Sequence, residues 1–239
     1  PILPIYSTFL QRAYDQIIND LCINNSNALI LVYRASIYGN KDMTHLGFND
    51  ITMLSNMPNL MYLAPTTVEE LESSIRYGVE HHNHPIAIRI PVGLPIYETS
   101  QSNTTGCPVT SCNITQSGNT IAIIGVGNFY HKAVELSHAI HDAIHILPTL
   151  VKPLCISSLD TDTLNELTKN HNIVITLEDG ELEGGYGQKI ASYYGKTSMN
   201  VLNYGISKQF YDRYNPEDVL QQNHLDFEHI LDDIQNIQH

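Results

Sequence analysis

The chain has 239 residues, 42% of them hydrophobic, with four cysteines and a formal charge of −13 from 12 basic and 25 acidic side chains. That length can bury one large core or two modest ones, and two domains are the better reading. An acidic excess without a concentrated basic patch argues against a nucleic-acid or anionic-membrane surface, and no apolar run approaches the roughly 20 residues that span a bilayer.

Ile2 to Tyr6 reads as a short buried strand. Thr8 with Gln11 three residues on carries a capping-box signature, and Leu10, Ala13, Tyr14, Ile17 and Leu21 recur at helical spacing behind it. Phe9 and Arg12 fall in the first turn of this helix, where free backbone N–H groups favour anions and a ring can stack on a planar ligand. The carboxyl end of a strand in an α/β sheet is where ligands sit. Ala28 to Tyr33, Leu60 to Ala64 and Ile86 to Ile90 are further apolar runs, as in a parallel sheet covered on both faces. Thr67, with Glu70 three residues on, opens a helix that carries Leu71, Ile75 and Val79.

Residues 93–118 lose periodicity and fill with Pro, Ser, Thr, Asn and Gly, the composition of an interdomain connection, which divides the chain into domains 1–92 and 119–239. A second α/β alternation follows: strand Thr120 to Gly125, helix Tyr130 to Ala143, strand Ile146 to Leu150, helix Leu159 to Asn170, strand Ile173 to Leu177. Gly184, Gly185 and Gly187 open another helix, Met199 to Leu202 supplies a strand, and polar helices over Pro216 to Ile237 close the chain.

The cysteines lack framework spacing and read as free thiols, with Cys107 and Cys112 too few for a zinc site. The sequons at Asn24, Asn103 and Asn113 read as unused in a cytoplasmic chain. His138, His141 and His145 share a helix face without an acidic or thiol partner and read as solvated, and His81, His82 and His84 suit the dipole at a helix end. Gly125-Val126-Gly127 lacks the third glycine of a dinucleotide fingerprint and reads as a tight turn. No metal ligands are assigned. Pro1 falls in what reads as an interior strand, so the chain reads as a fragment or a processed piece.

The stretch Tyr6-Ser7-Thr8-Phe9-Leu10-Gln11-Arg12-Ala13-Tyr14-Asp15-Gln16 resembles a motif in the pyrimidine-binding domain of the 1-deoxy-D-xylulose-5-phosphate synthases, thiamine-diphosphate enzymes of the transketolase superfamily. The resemblance continues in order through Arg34-Ala35-Ser36, the loop Gly39 to Gly47 with Thr44-His45, Ala64-Pro65-Thr66, Arg89-Ile90-Pro91, Val151-Lys152-Pro153-Leu154 and Leu177-Glu178-Asp179-Gly180. It implies a two-domain α/β fold: a pyrimidine-binding parallel-sheet domain lacking its N-terminal part, then the transketolase C-terminal domain. It further implies condensation of pyruvate with an aldose phosphate, glyceraldehyde 3-phosphate, with release of carbon dioxide. A related thiamine-dependent ketol transferase and a non-catalytic assembly module are the alternatives.

By the same resemblance, Phe9 is the platform against the aminopyrimidine with Tyr6 and Arg12 beside it, Arg34 helps bind the anionic substrate, and His45 exchanges a proton with it. Two departures touch the substrate site. Where the family has Asp-Gly-Pro-Thr-His, this chain has Lys41-Asp42-Met43-Thr44-His45, which puts Lys41 at the aspartate position, with Asp42 one residue away as a compensating acceptor. Where the family has Arg-Tyr-Pro-Arg-Gly, this chain has Arg89-Ile90-Pro91-Val92-Gly93, and Val92 cannot bind a phosphate. The family's activating glutamate and its Mg-diphosphate site are expected upstream, so thiamine diphosphate and Mg would be held jointly with that domain in a homodimer. Glu178 and Asp179 read as architectural rather than catalytic.

Overall fold

The computed structural model describes residues 1–38, 42–80, 83–91 and 109–238. The expectations placed on Lys41, His81, His82, Val92, Asn103 and Cys107, and on most of the 93–118 connection, lie outside these residues.

The first sheet contains β1 (Ile2–Tyr6), β2 (Leu29–Ala35), β3 (Met61–Leu63) and β4 (Ile86–Pro91), all parallel, in the order β1-β2-β4-β3. The central strands bury the apolar runs that the sequence displays: Leu29, Ile30, Val32, Ile86, Ala87 and Ile88 are each at most 2% exposed. β1 is not the buried strand its composition suggests. Among the described residues it pairs only with β2, and Ile2 and Leu3 remain 53% and 44% exposed, because an edge strand has a neighbour on one side only.

The segment after β1 also differs from the single helix its spacing predicts. It is a 3-10 helix over Ser7–Ala13, a turn of α-helix α1 (Tyr14–Gln16) and a π-helical turn over Ile17–Cys22. No side-chain cap forms at its start. Thr8 lies inside this helix, past its Tyr6 N-cap, so it is not placed to cap it, and its hydroxyl donates to the Thr44 carbonyl oxygen at 2.7 Å. Leu10 and Ile17 still reach the core, at 0% and 5% exposed.

Helix α2 (Asp50–Leu54) follows, then α3 (Val68–Glu80), whose start behaves as its sequence indicates. The Glu70 amide donates to Thr67 Oγ1 at 3.2 Å, and the Glu70 carboxylate reaches back to the amide and hydroxyl of Thr66, both at 2.8 Å.

The second sheet has β5 (Cys112–Gln116), β6 (Thr120–Gly125), β7 (Thr149–Pro153), β8 (His171–Glu181) and β9 (Asn200–Ile206), in the order β5-β7-β6-β8-β9. All pairs are parallel except β5 with β7. Helices α4 (Phe129–Ile144), α5 (Thr161–Leu167), α6 (Tyr186–Tyr194), α7 (Pro216–Gln222) and α8 (Phe227–Gln238) complete it. β5 falls inside the stretch whose composition suggests only a connection; as an exposed edge strand it needs little apolar character. β7 starts three residues later than its apolar run predicts. α4 ends at left-handed His145 (φ 59°), and Pro148 has no amide to give to a ladder. β8 continues past Leu177 to Glu181, carrying Glu178 and Asp179 into the interior. Cys22, Cys112 and Cys155 are free thiols, and His138, His141 and His145 are exposed.

The two sheets are knitted at the β3 edge. The Ala64 amide donates to the Leu154 carbonyl and the Ile156 amide to the Tyr62 carbonyl, both at 2.8 Å. Lys152, buried in β7, pairs with Glu70 of α3 at 2.7 Å, and one apolar cluster runs from Leu10 and Val32 of the first sheet to Ala122 and Val174 of the second.

Candidate active site

β1 and β2 run parallel with Tyr6 opposite Tyr33, so both strands deliver their last side chains to one edge. Tyr6 and Phe9 stack with centroids 6.0 Å apart and planes 21° off parallel. Phe9 meets the His45 ring edge-on at 5.6 Å, and the Arg34 guanidinium lies over the Tyr6 ring at 4.8 Å. The result is a continuous ladder of Arg34, Tyr6, Phe9 and His45, open to solvent at the carboxyl edge of the sheet, with Tyr6 and Phe9 40% and 36% exposed. Arg12 sits exposed in the last turn of the 3-10 helix, outside the ladder.

His45 is fixed by a tight turn. Its amide donates to the Asp42 carbonyl at 3.0 Å, and its Nδ1 lies 3.2 Å from Asp42 Oδ1 and 2.8 Å from Thr44 Oγ1. Tyr38 donates to the His45 carbonyl at 3.1 Å. The Thr44 hydroxyl, His45 and the Thr44 amide all bond Asp42, in that order of effect, and pull its carboxyl down to about 2. With Nδ1–H given to Asp42, Nε2 is the nitrogen left to accept a proton. Asp42 thus orients His45 through Oδ1.

The turn that presents Arg34 is strained. Tyr33 pairs with Ile90 and Ala35 with Pro91, so Arg34 is an extra residue bulged out of β2. Its φ is +54° and that of Ser36 is +88°, both in the left-handed region that side-chain-bearing residues avoid. The Ser36 amide donates to the Gly47 carbonyl at 2.8 Å, and Gly47 fits so closely that a Cβ there would stand 2.3 Å from the Arg34 carbonyl oxygen.

Beneath this turn lies a buried ion cluster that motif reading misses. Arg89 Nε donates to Asp50 at 2.8 Å and its NH1 to Asp179 at 2.5 Å, and all three side chains are at most 1% exposed. Tyr62 donates its hydroxyl to Asp50. The Ser36 side chain lies near Asp179 and favours its charged form, and Asp179 Oδ2 is buried with no hydrogen-bond partner among the described residues. Two carboxylates share one guanidinium, so the cluster carries surplus negative charge in a dry interior. Burial accordingly raises the Asp179 carboxyl, against the opposing pull of Arg89 and Ser36. For Arg89, burial works against the charged form, but Asp179 and Asp50 more than offset it and its pKa is raised.

One signal in the sequence pointed here: an arginine set inside the apolar run Ile86-Ala87-Ile88-Arg89-Ile90 must meet acids wherever it is buried. Next to this cluster, Glu178 accepts from the amides of Tyr186 and Gly187 at 2.9 and 2.8 Å, capping α6 from inside; burial lifts it to about 7 despite those two bonds.

Comparison with known proteins gives this geometry a family. Residues 1–95 match the transketolase pyrimidine-binding domain and residues 110–230 the transketolase C-terminal domain. The chain is 34% identical over 98% of its length to the 1-deoxy-D-xylulose-5-phosphate synthase of Gloeothece citriformis, 31% over 99% to that of Clostridium tetani, and 33% over 98% to that of Alkaliphilus oremlandii. It spans 37–38% of the length of these relatives. A split gene transketolase, solved as an inactive beta4 tetramer, shares the fold at a TM-score of 0.85 and 19% identity, over 99% of this chain and 75% of that one. With both domain models met in order along it, the chain belongs to the transketolase family, in its pyrimidine-binding and C-terminal domains.

Proposed function

We propose that these residues are part of a thiamine-diphosphate-dependent transferase of the 1-deoxy-D-xylulose-5-phosphate synthase kind, joining pyruvate to glyceraldehyde 3-phosphate with release of carbon dioxide. The observation that carries the reading is the Arg34–Tyr6–Phe9–His45 ladder at the carboxyl edge of a parallel sheet. Phe9 keeps enough of its ring exposed to stack on a planar heterocycle, which fits an aminopyrimidine; Tyr6 stacks beside it, and Arg12, three residues on, is in this reading a further cofactor contact. Thiamine diphosphate, when bound, supplies the electron sink for decarboxylating a 2-oxo acid.

The chain's own residues then have separate tasks. Arg34 holds an anionic group of the substrate. His45 exchanges a proton at Nε2 while Asp42 holds Nδ1. The bonds described for Asp42 converge on Oδ1, and in this reading Oδ2 accepts from a substrate hydroxyl, with Lys41 beside it as a second substrate contact. The reading places Mg and the diphosphate in the family's upstream domain, as the resemblance implies. It includes a homodimer and a cytoplasmic location; no described helix is long and apolar enough to cross a membrane.

The test is an assay of the complete protein with pyruvate and glyceraldehyde 3-phosphate, with and without thiamine diphosphate and Mg. Cofactor-dependent release of carbon dioxide coupled to loss of the aldehyde supports the reading; cofactor-independent release, or none, overturns it. One observation favours a second reading, in which these two domains by themselves only assemble. The split gene transketolase of the same fold forms an inactive tetramer. Sedimentation of the 239-residue chain, with calorimetric titration of cofactor and Mg, decides: an oligomer without cofactor binding fits that reading, and micromolar binding rejects it.

A further inference from the structure

The tip of β8 belongs to the second domain, yet it is bonded on two sides to the turn that carries Arg34. The Glu181 amide donates to the Phe48 carbonyl at 2.9 Å, and Phe48 follows Gly47, whose carbonyl holds the Ser36 amide. Gly180 packs so tightly on α2 that an added Cβ would stand 2.8 Å from the Ile51 side chain. From the other side, Asp179 grips Arg89, whose strand neighbours Ile90 and Pro91 pair with Tyr33 and Ala35 on either side of Arg34, and the Ser36 side chain lies near Asp179 as well. Two positive-φ side chains two positions apart, Arg34 and Ser36, do not persist unless their surroundings over-determine them. Here the over-determination comes from Gly47 above and Asp179 below.

We propose that Asp179 of the C-terminal domain is a positioning residue for Arg34 of the pyrimidine-binding domain: through Arg89 and Ser36 it holds the strained bulge that presents the Arg34 guanidinium over Tyr6. Asp179 touches no reacting atom. It makes the C-terminal domain part of the anion site at a distance, so the affinity of that site depends on the packing of one domain against the other. The functional half of this inference rests on reading Arg34 as the anion-binding residue; the structural half does not.

The experiment uses the complete protein with Ser36→Ala, Asp179→Asn and Gly47→Ala. Asp179→Asn leaves Arg89 paired one-to-one with Asp50, so it balances the buried charge and should fold. Gly47→Ala displaces the same turn from the opposite side and sets the size of a full loss of positioning. Amide hydrogen exchange over residues 34–38 should quicken at least tenfold in Ser36→Ala and Asp179→Asn, with exchange in β6 and β8 unchanged. Their double mutant should be no faster than the worse single, since both cut one linkage. In turnover, KM for the anionic substrates should rise five- to twentyfold with kcat within twofold, the split that a general loss of stability would not give. Exchange and KM that stay within twofold of wild type in both variants, while Gly47→Ala moves them, overturn the proposal. A wild-type protein without cofactor-dependent turnover defeats the functional reading instead, and the exchange measurement alone then decides the positioning claim.

Discussion

Two charged clusters stand one above the other in this molecule and are built on opposite principles. The ladder of Arg34, Tyr6, Phe9 and His45 is half exposed, its contacts are ring faces and a solvent-screened guanidinium, and it leaves surface for a ligand. The cluster of Arg89, Asp50, Asp179 and Tyr62 is buried, and its charges are bonded at 2.5 to 2.8 Å. Exposed pairs are worth little in stability, whereas removing one partner of a buried set leaves a charge that the interior cannot solvate. Binding geometry is therefore adjustable in the upper cluster and fixed by the lower one.

The largest expected effect comes from breaking the lower cluster. Arg89→Met conserves volume but strands two carboxylates, and should cost about 3–5 kcal/mol in urea unfolding; adding Asp50→Asn and Asp179→Asn should recover most of it. A loss under about 1 kcal/mol would erase the contrast drawn between the two clusters.

Acid–base behaviour sharpens the same point. Glu178 is lifted to about 7, above its ordinary value of 4.5. Between those two values the folded chain holds a proton that the unfolded chain has released, so stability is full below the lower value and falls as pH rises through the upper one. The slope approaches about 1.4 kcal/mol per pH unit. Glu178→Gln should flatten it, and stability curves that superimpose with and without the substitution would count against a strained buried carboxylate.

In the upper region, effects should appear in binding rather than in folding. With Val92 at the position of a phosphate-binding arginine, the complete protein should discriminate poorly between glyceraldehyde 3-phosphate and glyceraldehyde. Val92→Arg should add about 1.5–3 kcal/mol of preference for the phosphorylated aldehyde, chiefly through KM. Lys41→Asp separates the alternative that Lys41 already supplies the cation: a strong wild-type preference lost in that variant assigns the phosphate to Lys41. Smallest in stability, Phe9→Ala should leave the thermal midpoint nearly unchanged yet weaken cofactor binding about tenfold, near 1.4 kcal/mol. Arg34→Ala should mainly raise substrate KM. Equal effects of both on cofactor affinity would merge two roles that the ladder keeps apart.

The sequence by itself determined what depends on neighbours along the chain. Apolar runs of β-branched residues mark the strands, Thr67 with Glu70 marks the start of α3, and the words around Tyr6, Arg34 and His45 carry the family. The resemblance to the family names Tyr6, Phe9, Arg34 and His45 before their contacts are seen, and Arg34 is also marked by its place after the apolar run Ala28 to Tyr33. What the chain alone left open depends on residues far apart. Asp50, Arg89 and Asp179 are separated by 39 and 90 positions, and no period or motif links them. Thr8 looks like a helix cap, but the helix begins one residue before it and its hydroxyl donates to Thr44, 36 residues away. Nothing in the sequence pairs Asp42 with the His45 ring; the turn makes that contact. Hydrophobic periodicity repeats at every turn and so is written many times over, whereas a buried ion cluster is formed once, by the packing of two sheets, and leaves in the sequence only an arginine where an aliphatic residue was due.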